Sequence, residues 1–115
     1  MWIKRHRLFA LLQPRVSAPT RISFDNTSSA TDTVIDIETG DRTGLLYDIG
    51  HALSEMGVEI LSARIVTDAR WVRDAFYVRL NEQKLDDKEV QAVIRAGLKK
   101  AIKPLAIAEN KGVLA

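Results

Sequence analysis

A chain of 115 residues, 46% apolar and 28% charged, has room for one globular domain and no more. It has no cysteine, which excludes disulfides and thiolate chemistry and fits a cytoplasmic setting, and no apolar run approaches the roughly 20 residues a membrane helix requires. The net charge of +2 hides a division: residues 1–21 carry Lys4, Arg5, Arg7, Arg15 and Arg21 and no acid, a charge of +5, which leaves −3 for the remainder; a nucleic-acid-binding domain carries its positive charge on the fold itself, so nucleic acid is not an expected partner.

Residues 1–19 read as a basic linker or leader. The apolar stretch Leu8 to Leu12 is shorter than the roughly 7–15 residues of a secretory signal, and Gln13-Pro14-Arg15 follows it. Thr20 to Asp25 alternates, with Ile22 and Phe24 on one face, and predicts a short strand. Asn26 to Asp32 is rich in turn residues and predicts a loop. Thr33 to Thr39 alternates again, Ile35 and Ile37 against Asp36 and Glu38, and runs into the turn Gly40 to Gly44. Leu45 to Met56 has helical spacing, with Leu45, Ile49, Ala52, Leu53 and Met56 on one stripe. Thr43 is the expected N-cap and Gly57 the expected left-handed residue past the end.

Val58 to Thr67 is β-branched and apolar; Asp68-Ala69-Arg70 is a tight connection; Trp71 to Leu80 puts Val72, Phe76, Val78 and Leu80 on one face and Arg73, Tyr77 and Arg79 on the other. The pair predicts an antiparallel hairpin. After the polar loop Asn81 to Lys84, Asp86 with Glu89 forms a capping pattern. The helix it opens carries Val90, Val93, Ile94, Leu98 and Ala101 on one face and stops before Pro104. Residues 104–115 are a tail that either adds a short edge strand or frays.

The order ββαββα predicts an α+β two-layer sandwich of the ferredoxin-like kind, a four-stranded antiparallel sheet with two helices on one face. The domain spans residues 20–103. The other sheet face exposes Asp36, Glu38, Arg73, Tyr77 and Arg79, a mixed surface that is solvated or forms a dimer contact.

Catalytic signals are missing. His6 and His51 are the two histidines, and no converging set of ligands makes a metal site. No nucleophile elbow and no glycine-rich phosphate loop is present. Asp74 is the odd residue, a carboxylate in phase with Val72 and Phe76; the expected explanations are that it reaches the sheet edge near the strand start or pairs with Arg64 across the hairpin. An RNA-recognition module shares the plan but needs stacking aromatics on its central strands, where Tyr77 is the main outward ring.

The segment TVIDIETGDRTGLL, Thr33 to Leu46, is the most informative. A strand enters a turn that opens directly into a helix, so backbone N–H groups without helical acceptors, and the positive end of the dipole, face the loop. The N–H groups around Gly44, Leu45 and Leu46 suit a carboxylate, Gly44 lets a ligand approach, and Asp41 can accept from an ammonium group. Spacing alone favours a plain tight turn that Gly44 permits and Asp41 caps.

DRTGLLYDIGHALSEMGVEILSARIVTDARWVRDAFYVRL, Asp41 to Leu80, resembles an ACT domain. Within that family it is most similar to the C-terminal ACT domain of bifunctional PII uridylyltransferase/uridylyl-removing enzymes. The resemblance rests on Asp25-Asn26, the Asp41 to Tyr47 turn, Ser62 to Ile65, Asp74 to Val78 and the leader KRHRLFALLQPRV. It implies a non-catalytic regulatory module that binds a free amino acid, glutamine in that subfamily, as a nitrogen-status signal. The implied partner is a second ACT domain or a homodimer. No cofactor is implied. Ligand contacts carry over to Asp41, Thr43, Gly44 and Leu45, faced across an interface by Val58, Glu59 and Ile60. Thr43 stands where the subfamily has proline. The catalytic motifs of those enzymes, a nucleotidyltransferase Gly-Ser motif with paired aspartates and a His-Asp hydrolase cluster, do not occur in this sequence. The alternative is a ligand-free ACT-fold module for dimerisation or protein interaction.

Overall fold

The computed structural model describes residues 20–103; the linker expected at 1–19 and the tail expected at 104–115 lie outside the described residues. Six elements follow in the predicted order: β1 (Arg21–Asp25), β2 (Thr33–Gly40), α1 (Leu45–Glu55), β3 (Val58–Asp68), β4 (Trp71–Leu80) and α2 (Lys88–Ile102). The strands form one antiparallel sheet in the order β1-β2-β4-β3, the ferredoxin-like sandwich the alternation predicts.

Side chains facing the helices come from every second strand position. Ile22, Ile35, Ile37, Val72, Phe76 and Val78 meet Leu45, Ile49 and Leu53 of α1 and Ile94, Leu98 and Ile102 of α2 in one core. Arg95 lays its guanidinium 5.2 Å from the centre of the half-buried Phe24 ring, so the alkyl stem and charge cover the rim of that core.

Several local expectations are corrected. Thr43 does not cap α1: Gly44 occupies the N-cap position in a left-handed conformation (φ 78°, ψ 2°) and no side chain caps the helix. A threonine one residue too early cannot reach the N–H groups of the first turn. Asp87, not Asp86, caps α2, its Oδ1 accepting from the N–H groups of Glu89 (2.8 Å) and Val90 (3.3 Å). Val93 is 66% exposed and Gln91 is buried in its stead. The glutamine turns inward because its amide donates to the carbonyl of Leu85 at 2.7 Å, which satisfies a polar group that burial otherwise penalises. Gly57 does take the left-handed conformation expected past the helix end (φ 78°).

Asp25-Asn26, part of the resemblance, has structural work. Asp25 accepts from the N–H groups of Thr27 and Ser28 and from both hydroxyls, which holds its carboxyl far below the usual range. Asn26 donates to the Leu85 carbonyl (2.9 Å) and accepts from the fully buried Thr33 hydroxyl, which in turn accepts from the Leu85 N–H (2.7 Å). This network ties the β1–β2 loop to the segment before α2.

β3 is an edge strand. Only Val58 of its 11 residues is buried, and Ile60, Leu61, Ile65 and Val66 are between 37% and 49% exposed. A register shift between Ile60 and Ser62 leaves Leu61 as a bulge. The outer side of this strand presents a row of unpaired N–H and C=O groups.

Candidate functional site

The turn between β2 and α1 is held at both ends. Asp41 donates its N–H to the carbonyl of Arg70, in the β3–β4 hairpin, at 2.6 Å. Arg42 reaches three elements: Nη1 donates to the Thr43 carbonyl (3.0 Å), while Nη2 pairs with Asp48 (2.8 Å) and donates to the Ala101 carbonyl (2.9 Å). The last carbonyls of a helix lack intrahelical donors, so the Arg42 cation satisfies the end of α2 while it fastens the turn and the start of α1. The resemblance did not single out Arg42, and its role could not be read from the sequence because Ala101 lies 59 residues away. Arg42→Met is expected to destabilise the domain by about 2 kcal/mol, the scale of lost hydrogen bonds to a charged group. Chemical denaturation checks this, and an unchanged midpoint would show that the three ties contribute nothing.

Gly44 lies at the outer surface of this turn. An added Cβ would meet Arg42 Nη1 at 3.9 Å, an ordinary van der Waals contact, so the position is not crowded. Leu45 is buried and its N–H is taken by the Arg42 carbonyl at 3.2 Å. Asp48 N–H makes the first helical bond, to the Gly44 carbonyl (2.9 Å). The N–H groups of Gly44, Leu46 and Tyr47 find no acceptor among the described residues. Asp41, Thr43 and Gly44 are exposed. This is a helix start with free donors and an exposed acidic residue in the same turn.

Val58, Glu59 and Ile60 are not near the turn within one chain. Gly40 pairs with Trp71 at one end of β4 and Val58 pairs with Leu80 at the other. At about 3.3 Å per residue the two groups sit roughly 30 Å apart.

Asp74 also departs from expectation. It faces the helix side, opposite Ile37 on β2 and Ile65 on β3, whereas Arg64 stands opposite Ala75 on the other face, so the two do not pair. Asp74 is 3% exposed and its Oδ1 has no hydrogen-bond partner. Burial, reinforced by the charge of Asp41, pushes its carboxyl above the usual range. Its phase among Val72 and Phe76 was the signal in the sequence.

A shallow groove of about 540 Å³ crosses the helix-free face, lined by Ser23, Asp36, Arg64, Arg73, Ala75 and Tyr77 among others. Its charges partly answer one another: Glu38 and Arg73 lie 3.7 Å apart, and desolvation together with Asp25 and Glu38 raises the Asp36 carboxyl. Among the described residues no group of three or more His, Cys, Asp or Glu is arranged to hold a metal, and no helix is long and apolar enough to cross a membrane.

Comparison with known proteins accords with the fold. A family model described as an ACR9-like, ACT-like domain matches residues 21–112. The bifunctional uridylyltransferase/uridylyl-removing enzyme of Ruegeria pomeroyi is 40% identical over 87 residues, covering 75% of this chain and 10% of that protein. Those of Cereibacter sphaeroides (41% over 85 residues; 73% and 9%) and Rhodospirillum rubrum (40% over 88 residues; 76% and 9%) are similar. The chain thus spans about a tenth of the length of these enzymes. A crystal structure of an unknown protein from Galdieria sulphuraria superimposes with a TM-score of 0.52 at 22% identity, covering 64% of this chain and 39% of that one, a likeness of fold. With a ferredoxin-like sandwich, an open glycine turn ahead of α1 and a family match across the whole described domain, the chain belongs to the ACT-like domain family.

Proposed function

We propose that this chain is a non-catalytic regulatory module that binds a small amino acid, glutamine first among the candidates, in the Gly40 to Leu45 turn. The site is completed by a second ACT domain, either elsewhere in a larger protein or in a second copy. The observation that carries the reading is the helix start itself: three free N–H groups around an exposed Gly44, with Asp41 exposed in the same turn. The donors suit an α-carboxylate and Asp41 suits an α-ammonium.

The unpaired edge of β3 supports the interfacial half of the site. β3 runs from Val58, at the Leu80 end of the sheet, to Asp68, at the turn end. Antiparallel pairing of two such edges sets Val58 to Ile60 of one domain beside Asp68, and so beside the turn, of the other. The 30 Å separation within one chain then becomes proximity between two. Exposed Ile60, Leu61, Ile65 and Val66 supply apolar area for that contact.

The relatives that share the sequence are uridylyltransferase/uridylyl-removing enzymes, so the regulated activity would be a uridylylation balance responsive to nitrogen status, with residues 1–19 as linker to a preceding domain. Titration calorimetry of the full chain with the twenty amino acids, alongside sedimentation, tests the reading. Heat from glutamine or a few others, with Kd in the micromolar to millimolar range, is the expected result; no heat from any of them in a dimeric protein overturns it. The β3 edge also favours a second reading, a pairing module with no ligand, for which that negative result is the expectation.

A further inference from the structure

We infer that Asp74 is the group that receives the ammonium of the bound amino acid, so that the site selects ligands with a free, charged amino group. The inference rests on the amino-acid-binding reading above and extends it to a residue that neither the turn nor the edge strand contains.

A carboxylate that is 3% exposed, on a central strand, with an unpartnered oxygen and another acid nearby, is the least satisfied group of the described domain. Buried charges are ordinarily paired or hydrogen-bonded, because desolvation otherwise costs several kcal/mol. Among the described residues Asp74 has no hydrogen bond and no ion pair, and Arg64, the nearest expected counter-ion, points from the other face of the sheet. Among the described residues one other buried side-chain polar atom lacks a partner: Nε of Arg42, within the turn. The two unsatisfied groups are thus one anion and one cationic donor. Both belong to the neighbourhood of the turn, Arg42 by sequence and Asp74 by its place on β4, three residues from Trp71, which pairs with Gly40 where the turn begins.

The register shows how Asp74 is approached. On the helix side, the row Thr39–Val72–Thr67 adjoins the turn, and the row Ile37–Asp74–Ile65 comes next. On the β3 side of those rows, Ile65 and Thr67 are exposed, so the carboxylate lies one strand in from an uncovered edge. An ammonium group presents three donors and needs two or three acceptors in no fixed geometry. Asp74 and Asp41 supply these, whereas they are too few for a divalent cation, which demands a fuller shell of oxygens. A zwitterion then spans the site, its carboxylate on the free N–H groups of the α1 start and its ammonium on Asp74.

The test compares L-glutamine with 4-carbamoylbutanoate, which lacks only the amino group, on the full chain and on its Asp74→Asn variant. Wild-type protein should bind glutamine at least tenfold more tightly than the deaminated analogue. Asp74→Asn should lose at least tenfold for glutamine, bind the analogue as wild type does, and melt no lower than wild type, since a desolvated charge has been removed. Equal binding of the two ligands by wild type overturns the inference without any variant. So does undiminished glutamine binding by Asp74→Asn, or an equal loss for both ligands, which a purely structural role would give. If wild type binds no amino acid, the functional reading fails and the inference with it; if wild type binds glutamine and discrimination is absent, the inference alone fails.

Discussion

Valine in place of Gly44 is expected to abolish most amino-acid binding while leaving a folded, self-associating domain. Gly44 has φ 78°, where a side chain crowds the following carbonyl at a cost of about 1–2 kcal/mol, more for a β-branched residue. For a domain of this size that lowers the melting temperature by several degrees, at roughly 4–8 °C per kcal/mol, without unfolding it. The ligand effect is larger. The valine side chain would stand at Gly44, next to the free donors of the α1 start. At least a tenfold loss of glutamine affinity in calorimetry, with an unchanged sedimentation profile, is the expected pair of results. Dissociation of the protein with no change in ligand affinity would instead assign the turn to protein–protein contact. Neither effect would leave the turn without a role in binding or pairing.

Removing the Phe76 ring should cost about 3–5 kcal/mol, as truncation of a buried aromatic does when its neighbours cannot collapse into the space. Phe76 is 2% exposed, on the central strand β4, between Ile35 of β2 and Ala63 of β3. Its strand neighbours Ile35 and Ala63 are held by the sheet and cannot close the space, so the cavity persists. A domain of this size has a total stability of order 5–10 kcal/mol, and Phe76→Ala should therefore lose about half of it or more, read as a lower denaturation midpoint at near-constant slope. Val93→Ala is the matched control. Helical phase marks Val93 as core, but it is 66% exposed, and its truncation should shift stability by less than about 0.5 kcal/mol. A large loss at Val93 would mean that this surface is covered by another part of the protein or by a partner.

The contrast between these two positions shows which features the sequence carries. Strand alternation is strict, since one step moves a side chain to the opposite face; Ile35, Ile37, Phe76 and Val78 could be assigned to the core from their spacing. A helix stripe is broader, and α2 could rotate enough to exchange Val93 for Gln91 once a single long-range bond, to the Leu85 carbonyl, satisfied the glutamine amide. Caps are set by backbone conformation at one residue, so Thr43 and Asp86, each one position from the true cap, were both misread. The turn was legible because glycine, free N–H groups and helix start are contiguous. Arg42 was not, because its partners Asp48 and Ala101 lie on two different helices.

The sequence by itself determined the element order, the sheet faces, the open turn and the family, because each follows from local periodicity or from a contiguous motif. Tertiary structure alone decided the rest. It made β3 an edge with exposed apolar side chains, because strand order is a property of the sheet and not of the strand. It set Val58 to Ile60 at the far end from the turn, because register runs through β4. And it left Asp74 buried without a partner, because the Arg64 that alternation offered projects from the opposite face of the same sheet.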